Sequence, residues 1–147
     1  MHSLARYTTM TLLAAVSSCL GMSTVGCSDG RPDRVPVSGE VLIDGAPVTH
    51  GSIMFIPMGG RPAGGSIDSH GRFALSCYER KDGATTGVYR VKITAIEPID
   101  ERSNRWHAPK KYADEKTSGI EVEITEPVDD LKIELTWDGG KPFVERW

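Results

Sequence analysis

The feature that most constrains this chain is an apolar alternation with a period of two, which begins at Val35 and recurs almost to the C-terminus. Such alternation is typical of β-strands with one buried face. The first predicted strand places Val37, Val41 and Ile43 on one face, with Ser38 and other polar residues between them. Similar strand signals recur around residues 53–57, 67, 73–77, 89–95, 120–124 and 131–137.

Turn signals separate these segments. Asp44-Gly45 predicts a tight turn, residues 68–71 predict the turn of a hairpin between Ile67 and Phe73, and Pro57 predicts the end of an edge strand. About seven short strands, separated by Gly, Pro and Asp turns over about 100 residues, predict an all-β chain folded as an Ig-like β-sandwich. We place this sandwich at residues 35–137, followed by a C-terminal tail at 138–147.

The N-terminal segment differs from the rest of the chain. Residues 1–26 contain one charged side chain, Arg6, followed by an apolar run at residues 10–16 and then small residues. This order is typical of a secretory signal peptide. An uncleaved N-terminal anchor is the alternative.

Cys27 stands where the apolar leader changes to a polar stretch. Gly26-Cys27 resembles a bacterial lipobox, in which a small residue precedes a cysteine that becomes the acylated N-terminus. We therefore expect palmitate-type acyl chains on Cys27, a tether at residues 27–34, and the lipid bilayer as a partner. Thr24 departs from the aliphatic residue usual in that motif, and Cys19, with Val16 before it, is a competing site.

A family resemblance follows from the strand and turn segments. VSGEVLIDGAPVTHGSIMFIP, SIDSHGRFAL and GVYRVKIT are together similar to the carboxypeptidase regulatory-like domain. KKYADEKTSGIEVEIT and DDLKIELTW resemble the form found in small bacterial lipoproteins. The resemblance implies a transthyretin-like sandwich and an exported lipoprotein, at the cell membrane or outer membrane, facing the periplasm or exterior.

Residues for catalysis or metal binding do not form a recognisable pattern. No other histidine or cysteine stands at metal-ligand spacing from His50 or His70, so no metal or cofactor is expected. Cys77 falls in register with Phe73 and Leu75, which predicts a buried, inert thiol. One transthyretin-like branch hydrolyses 5-hydroxyisourate and ends in Tyr-Arg-Gly-Ser, whereas this chain ends in KPFVERW.

The segment 97–117 is long for a connection between strands, and long loops often carry function. Aromatic side chains beside cations are suited to contact with a carbohydrate or a protein. The candidate contact residues of this segment are Arg105, Trp106, His107, Lys110, Lys111 and Tyr112. In the alternative interpretation, Trp106 and Tyr112 fold back and cover an open end of the sandwich.

The net charge of the chain bears on which classes of partner we expect. A formal net charge of −3 gives no electrostatic reason to expect nucleic acid. We expect a membrane-anchored envelope lipoprotein whose sandwich is a non-catalytic binding or structural module, in contact with carbohydrate or an envelope protein. The alternatives are a minimal hydrolase built on the 97–117 segment and a purely structural envelope protein.

Overall fold

The computed structural model describes residues 30–147. The predicted signal peptide, the proposed lipid attachment at Cys27 and the competing site at Cys19 lie outside these residues. Within residues 30–147, no helical segment has the length and apolar character needed to span a bilayer.

The described chain is all-β, with eleven strands and one short 3₁₀ turn. The strands are β1 (Val37–Ile43), β2 (Ala46–Pro47), β3 (Ser52–Pro57), β4 (Ala63–Ser66), β5 (Arg72–Ala74), β6 (Gly87–Thr94), β7 (Ile96–Asp100), β8 (Ser103–Trp106), β9 (Ile120–Ile124), β10 (Val128–Leu135) and β11 (Phe143–Arg146). The 3₁₀ turn, Lys110–Ala113, lies between β8 and β9.

The first sheet is built around β1. Strand β10 runs parallel to it on one side, and β2 and β5 pair with it antiparallel on the other. The β1–β10 register shifts between Val37 and Gly39. A Cβ atom at Gly39 would lie 2.0 Å from the Leu131 carbonyl oxygen, so only glycine allows the two backbones to approach this closely.

The second sheet is antiparallel, in the order β4-β3-β6-β9. Its residues Tyr89, Val91 and Ile93 alternate inward along β6, as the sequence predicts. The two sheets share one hydrophobic core. The ring of Phe55 from the second sheet lies 6.3 Å from that of Phe73 in the first, an arrangement consistent with a β-sandwich.

The predicted strand segments each overlap or adjoin an observed strand, but the predicted count of about seven omits four strands: β2, β7, β8 and β11. The predicted Asp44-Gly45 turn is present, with φ of 48° and 83° at its two residues. The chain folds back on itself at the predicted 68–71 turn, since the Asp68 N–H donates to the Arg72 carbonyl oxygen at 2.9 Å and Gly64 and Ser76 exchange two backbone hydrogen bonds. Strands β4 and β5 on either side of this turn nevertheless belong to different sheets.

Strand β3 is an interior strand, so the prediction of an edge at Pro57 is wrong for the strand as a whole. Its pairing with β4 runs only from Ser52 to Phe55, whereas its pairing with β6 continues to Pro57. Pro57, which lacks an N–H group, therefore lies beyond the part of β3 that is paired on both sides.

A third, smaller sheet has the order β11-β8-β7. It includes most of the segment 97–106, which the sequence suggested was a loop, and part of the tail at 138–147. The strand Phe143–Arg146 pairs antiparallel with Ser103–Trp106. Of the six candidate contact residues, Arg105 and Trp106 lie on this third sheet, His107 follows β8 directly, and Lys110, Lys111 and Tyr112 lie in the 3₁₀ turn.

Candidate functional site

A tight turn joins the first two strands of the third sheet. The Asp100 carboxylate accepts hydrogen bonds from the Arg102 N–H at 2.8 Å and from the Ser103 hydroxyl at 2.6 Å. These bonds lower the pKa of Asp100, the Ser103 bond most strongly. A local carboxylate cap of this type explains why the segment turns back on itself as a hairpin and does not extend as a loop.

Trp106 is enclosed by residues from two other elements, the strand β11 and the 3₁₀ turn. Its ring stacks on Phe143, with the ring centroids 6.2 Å apart and the planes 10° apart. Its indole N–H donates a 2.9 Å hydrogen bond to Glu145, and the Lys110 ammonium lies 5.2 Å from its ring centroid. Lys110 also forms an ion pair with Glu145. Trp106 is consequently buried and fixed in position, although it lies outside the main core.

A second group centres on the Glu97 carboxylate. His107 Nε2 lies 2.9 Å from it and Arg105 Nη1 lies 3.4 Å from it. The hydrogen bond from His107 is the largest cause of a lowered Glu97 pKa, and the Arg105 charge adds to it. His50, from the segment before β3, stacks on His107 at 5.2 Å between ring centroids. Two histidines that sequence spacing did not connect are therefore neighbours.

Lys111 and Tyr112 form a third group. The Lys111 ammonium lies 2.6 Å from an Asp138 carboxylate oxygen and 4.9 Å from the Tyr112 ring centroid. The Asp138 hydrogen bond is the largest cause of a raised Lys111 pKa. Tyr112 belongs to the hydrophobic core, and its hydroxyl accepts a 3.1 Å hydrogen bond from the Thr136 N–H. The Tyr112 ring is therefore packed into the core.

The six candidate residues therefore fall into three groups and do not converge on one point. Arg105 and His107 share Glu97, Trp106 and Lys110 share Glu145, and Lys111 and Tyr112 lie beside Asp138 and Thr136. Every candidate cation has an acidic partner. An anionic ligand would have to compete with those carboxylates, which weakens the case for a charged ligand at this sheet.

Exposed apolar side chains also gather at this sheet. In the described part of the chain, the large apolar residues that remain exposed include Ile99, Phe143, Val144 and Trp147. Trp147 continues from β11, since its N–H donates to the Arg102 carbonyl oxygen. Strands β7 and β11 are the two edges of the sheet. Sequence reasoning missed Phe143 as the neighbour of Trp106, although the apolar pair in KPFVERW could have indicated a strand.

The remaining candidates for chemical function are the Cys77 thiol and a metal site. Cys77 is buried and is not part of a disulfide. Burial raises the pKa of its thiol, and the nearby Asp82 carboxylate raises it further. Among residues 30–147, no group of three or more His, Cys, Asp or Glu side chains is placed to bind a metal ion.

No family model, curated protein or solved structure matches this chain. The likeness to carboxypeptidase regulatory-like domains rests on the sequence segments quoted above.

Proposed function

We propose that this protein is an exported lipoprotein, held at a membrane by an acylated Cys27, whose β-domain is a non-catalytic binding module. Two observations support the proposal. The sequence changes from apolar to polar at Gly26-Cys27, and an all-β domain follows, whose first strand begins at Val37. The finer fold that we propose is a transthyretin-like sandwich of the carboxypeptidase regulatory-like type, whose seven strands are those of the two larger sheets apart from the two-residue β2. The shared core of the first two sheets supports it.

The observation that carries the binding role is the exposure of apolar side chains on the edge strand β11. Phe143 and Val144 leave 37% and 44% of their surface exposed, on opposite faces of the strand, and Trp147 just beyond it leaves 67% exposed. Exposed apolar groups on an edge strand are a liability unless something covers them. A partner strand added to β11 would cover them and would use its unpaired backbone groups.

A protein partner fits this surface better than a carbohydrate. Sugar binding commonly uses an open aromatic face, but the Trp106 ring is enclosed by Phe143 and Lys110. Edge-strand pairing requires only backbone groups and apolar neighbours, and β11 supplies both. We therefore propose an envelope protein as the partner of the third sheet.

The contact is tested by photo-crosslinking in intact bacterial cells. A photoreactive residue is placed at Val144, and the matched control is placed at Val88, which is exposed to a similar extent at 42% but lies on β6. We expect one defined crosslinked protein from position 144 and none from position 88, with the product lost when Phe143 is changed to Ser. Equal crosslinking from both positions, or none from either, would reject the third sheet as a contact surface.

The anchor is tested separately by intact mass and membrane fractionation. We expect the wild-type mass to begin at Cys27 and to include acyl chains, and we expect Cys27→Ala to remain unprocessed or to leave the membrane fraction. Cys19→Ala is the control and should be processed normally. A mature protein acylated at Cys19, or a soluble product without lipid, would contradict the proposed anchor.

A further inference from the structure

A second surface lies at the corner where the first two sheets meet. Strands β3, β4 and β5 and the turn after β5 line an open groove of about 520 Å³. This volume falls within the range of about 300–1,000 Å³ that is usual for small-molecule sites. The groove involves none of the candidate contact residues of the segment 97–117.

The floor of the groove is formed by residues with little or no side chain. Gly64 lies opposite Met54, and Ser66 lies opposite Ser52, on the outer face of the second sheet. Gly64 is also held by two backbone hydrogen bonds to Ser76, of 3.0 and 2.8 Å. The result is a depression lined by hydroxyl groups and exposed backbone, with the partly exposed Met54 as an apolar contact.

One wall of the groove carries two cations. Arg80 and Lys81 are both exposed and both line it, and none of its lining residues is acidic. The Lys81 N–H donates a 2.8 Å hydrogen bond to the Ser76 hydroxyl, which ties the backbone of the cationic turn to the groove. Lys81 has a φ of 58°, an uncommon conformation for lysine.

Two acids flank the cations along the chain, Glu79 before Arg80 and Asp82 after Lys81, and neither lines the groove. The Asp82 carboxylate accepts hydrogen bonds from the N–H groups of Cys77, Tyr78 and Glu79, at 2.7 to 3.0 Å. It also forms a 2.9 Å ion pair with Arg34. Asp82 therefore holds the turn together, and its charge is directed to the backbone and to Arg34.

The groove differs from two other clefts of the domain in the charges of its lining residues. The cleft lined by Arg72 and Lys132 also contains Glu40, Asp129 and Asp130. The cleft lined by Arg90 and Lys116 also contains two glutamates. Cations and acids offset one another in both, whereas the cations of the β3–β5 groove face hydroxyl groups and glycine.

We propose that this groove binds an anionic saccharide, with a carboxylate or sulfate at Arg80 and Lys81 and sugar hydroxyls at Ser52, Ser66 and Ser76. Paired cations bind oxyanions through charge-assisted hydrogen bonds, and hydroxyl-lined floors match polyhydroxylated ligands. A flat bilayer would not fill a concave groove. A nucleic acid would meet only two cations on a chain with a net charge of −3.

The test is calorimetric titration of the purified full-length chain, as the host processes it, with trigalacturonate, a sulfated dextran oligomer and neutral maltotriose. We expect at least one anionic probe to bind and maltotriose to bind at least about tenfold more weakly. The affinity for the anionic probe should fall as salt is added. The double variant Arg80→Gln/Lys81→Asn should bind the anionic probe about tenfold or more weakly than the wild type. Asparagine is chosen at position 81 because it tolerates the left-handed backbone conformation found there.

The matched control is Arg90→Gln/Lys116→Gln, which removes two exposed cations from the other cleft and should leave the affinity within about twofold. Equal losses in the two double variants would show a non-specific charge effect and overturn the proposal. So would binding of maltotriose as tight as that of the anionic probes, or no binding of any probe. Phosphatidylglycerol vesicles are titrated as a further probe, and binding to these vesicles but to no saccharide would overturn the proposal and identify a lipid headgroup site. Because the groove lies outside the third sheet, its failure would leave the proposed function intact.

Discussion

The indole N–H of Trp106 donates a 2.9 Å hydrogen bond to the carboxylate of Glu145, which lies 39 residues further along the chain. This bond links the segment 97–117 to the C-terminal tail, whose strand β11 pairs with β8 through the backbone. Lys110, from the 3₁₀ turn, reaches the same carboxylate. Glu145 is therefore the residue on which three separate elements meet.

Glu145→Leu should release strand β11. The substitution removes the acceptor for Trp106 and the partner of Lys110 together, so we expect faster amide exchange at Phe143–Arg146. Glu145→Gln keeps an acceptor oxygen and should have a smaller effect. Hydrogen–deuterium exchange read by mass spectrometry measures both, and Glu126→Leu, at an exposed site before β10, is the control. Unchanged exchange in Glu145→Leu would show that backbone pairing alone holds β11.

Tyr112→Phe should lower the free energy of unfolding by about 1 kcal/mol. The change removes the hydroxyl that accepts the Thr136 N–H bond and leaves that group without its partner. Tyr112→Ala should cost about 3 kcal/mol or more, because the ring is part of the core. Urea unfolding curves measure both values. Equal costs for the two variants would contradict a packing role for the ring.

Asp82 should make the free energy of unfolding of the domain depend on pH in the acidic range. Desolvation by burial raises the pKa of its carboxyl, but three backbone hydrogen bonds and Arg34 outweigh that effect and leave the pKa below its usual value of 3.8. A carboxyl whose pKa is depressed by folding adds stability above its unfolded pKa, and this contribution is lost as pH falls through the folded value.

The variant Asp82→Asn should therefore lower the free energy of unfolding at pH 7 by about 2 kcal/mol, the size expected for hydrogen bonds to a charged group. It should also reduce the change in that free energy between pH 5 and pH 2. Urea unfolding at a series of pH values measures this dependence. Asp33→Asn, at an exposed site before β1, is the control. A pH dependence that is the same in Asp82→Asn and wild type would contradict the role given to this carboxyl.

His107→Ala should raise the pKa of Glu97 towards its usual value of 4.5. The hydrogen bond from His107 is the largest cause of the lowered pKa, so its loss should have more effect than the loss of Arg105. Carboxyl carbon shifts followed by NMR during a pH titration measure the change, with Arg105→Ala as the comparison. A larger shift in Arg105→Ala would show that charge, and not the hydrogen bond, controls Glu97.

The sequence predicted the larger part of the fold because inward residues such as Val41, Phe55 and Val91 recur at a period of two, and burial follows that period. The third sheet was not predictable in this way. Its strands are short and mostly polar, and they are held by long-range contacts such as Trp106 to Glu145. Lys110 and Lys111 lie over the rings of Trp106 and Tyr112. The pairing of the candidate cations with Glu97, Glu145 and Asp138 depends on tertiary distance, which spacing does not encode.

The glycine at position 39 offers the sharpest test of the β1–β10 pairing. A methyl group there would meet the Leu131 carbonyl oxygen at 2.0 Å and the Leu131 Cβ at 2.9 Å, so one strand must move. We expect Gly39→Ala to lower the free energy of unfolding by about 3 kcal/mol or more, because backbone atoms cannot yield as a side chain can.

Gly59→Ala is the matched control. Nothing lies within 4 Å of its added methyl, and no positive φ is recorded there. It should therefore be neutral or slightly stabilising through a less flexible unfolded chain. Urea unfolding compares the two variants, and similar values for both would mean that β1 and β10 do not approach as closely as the structure shows.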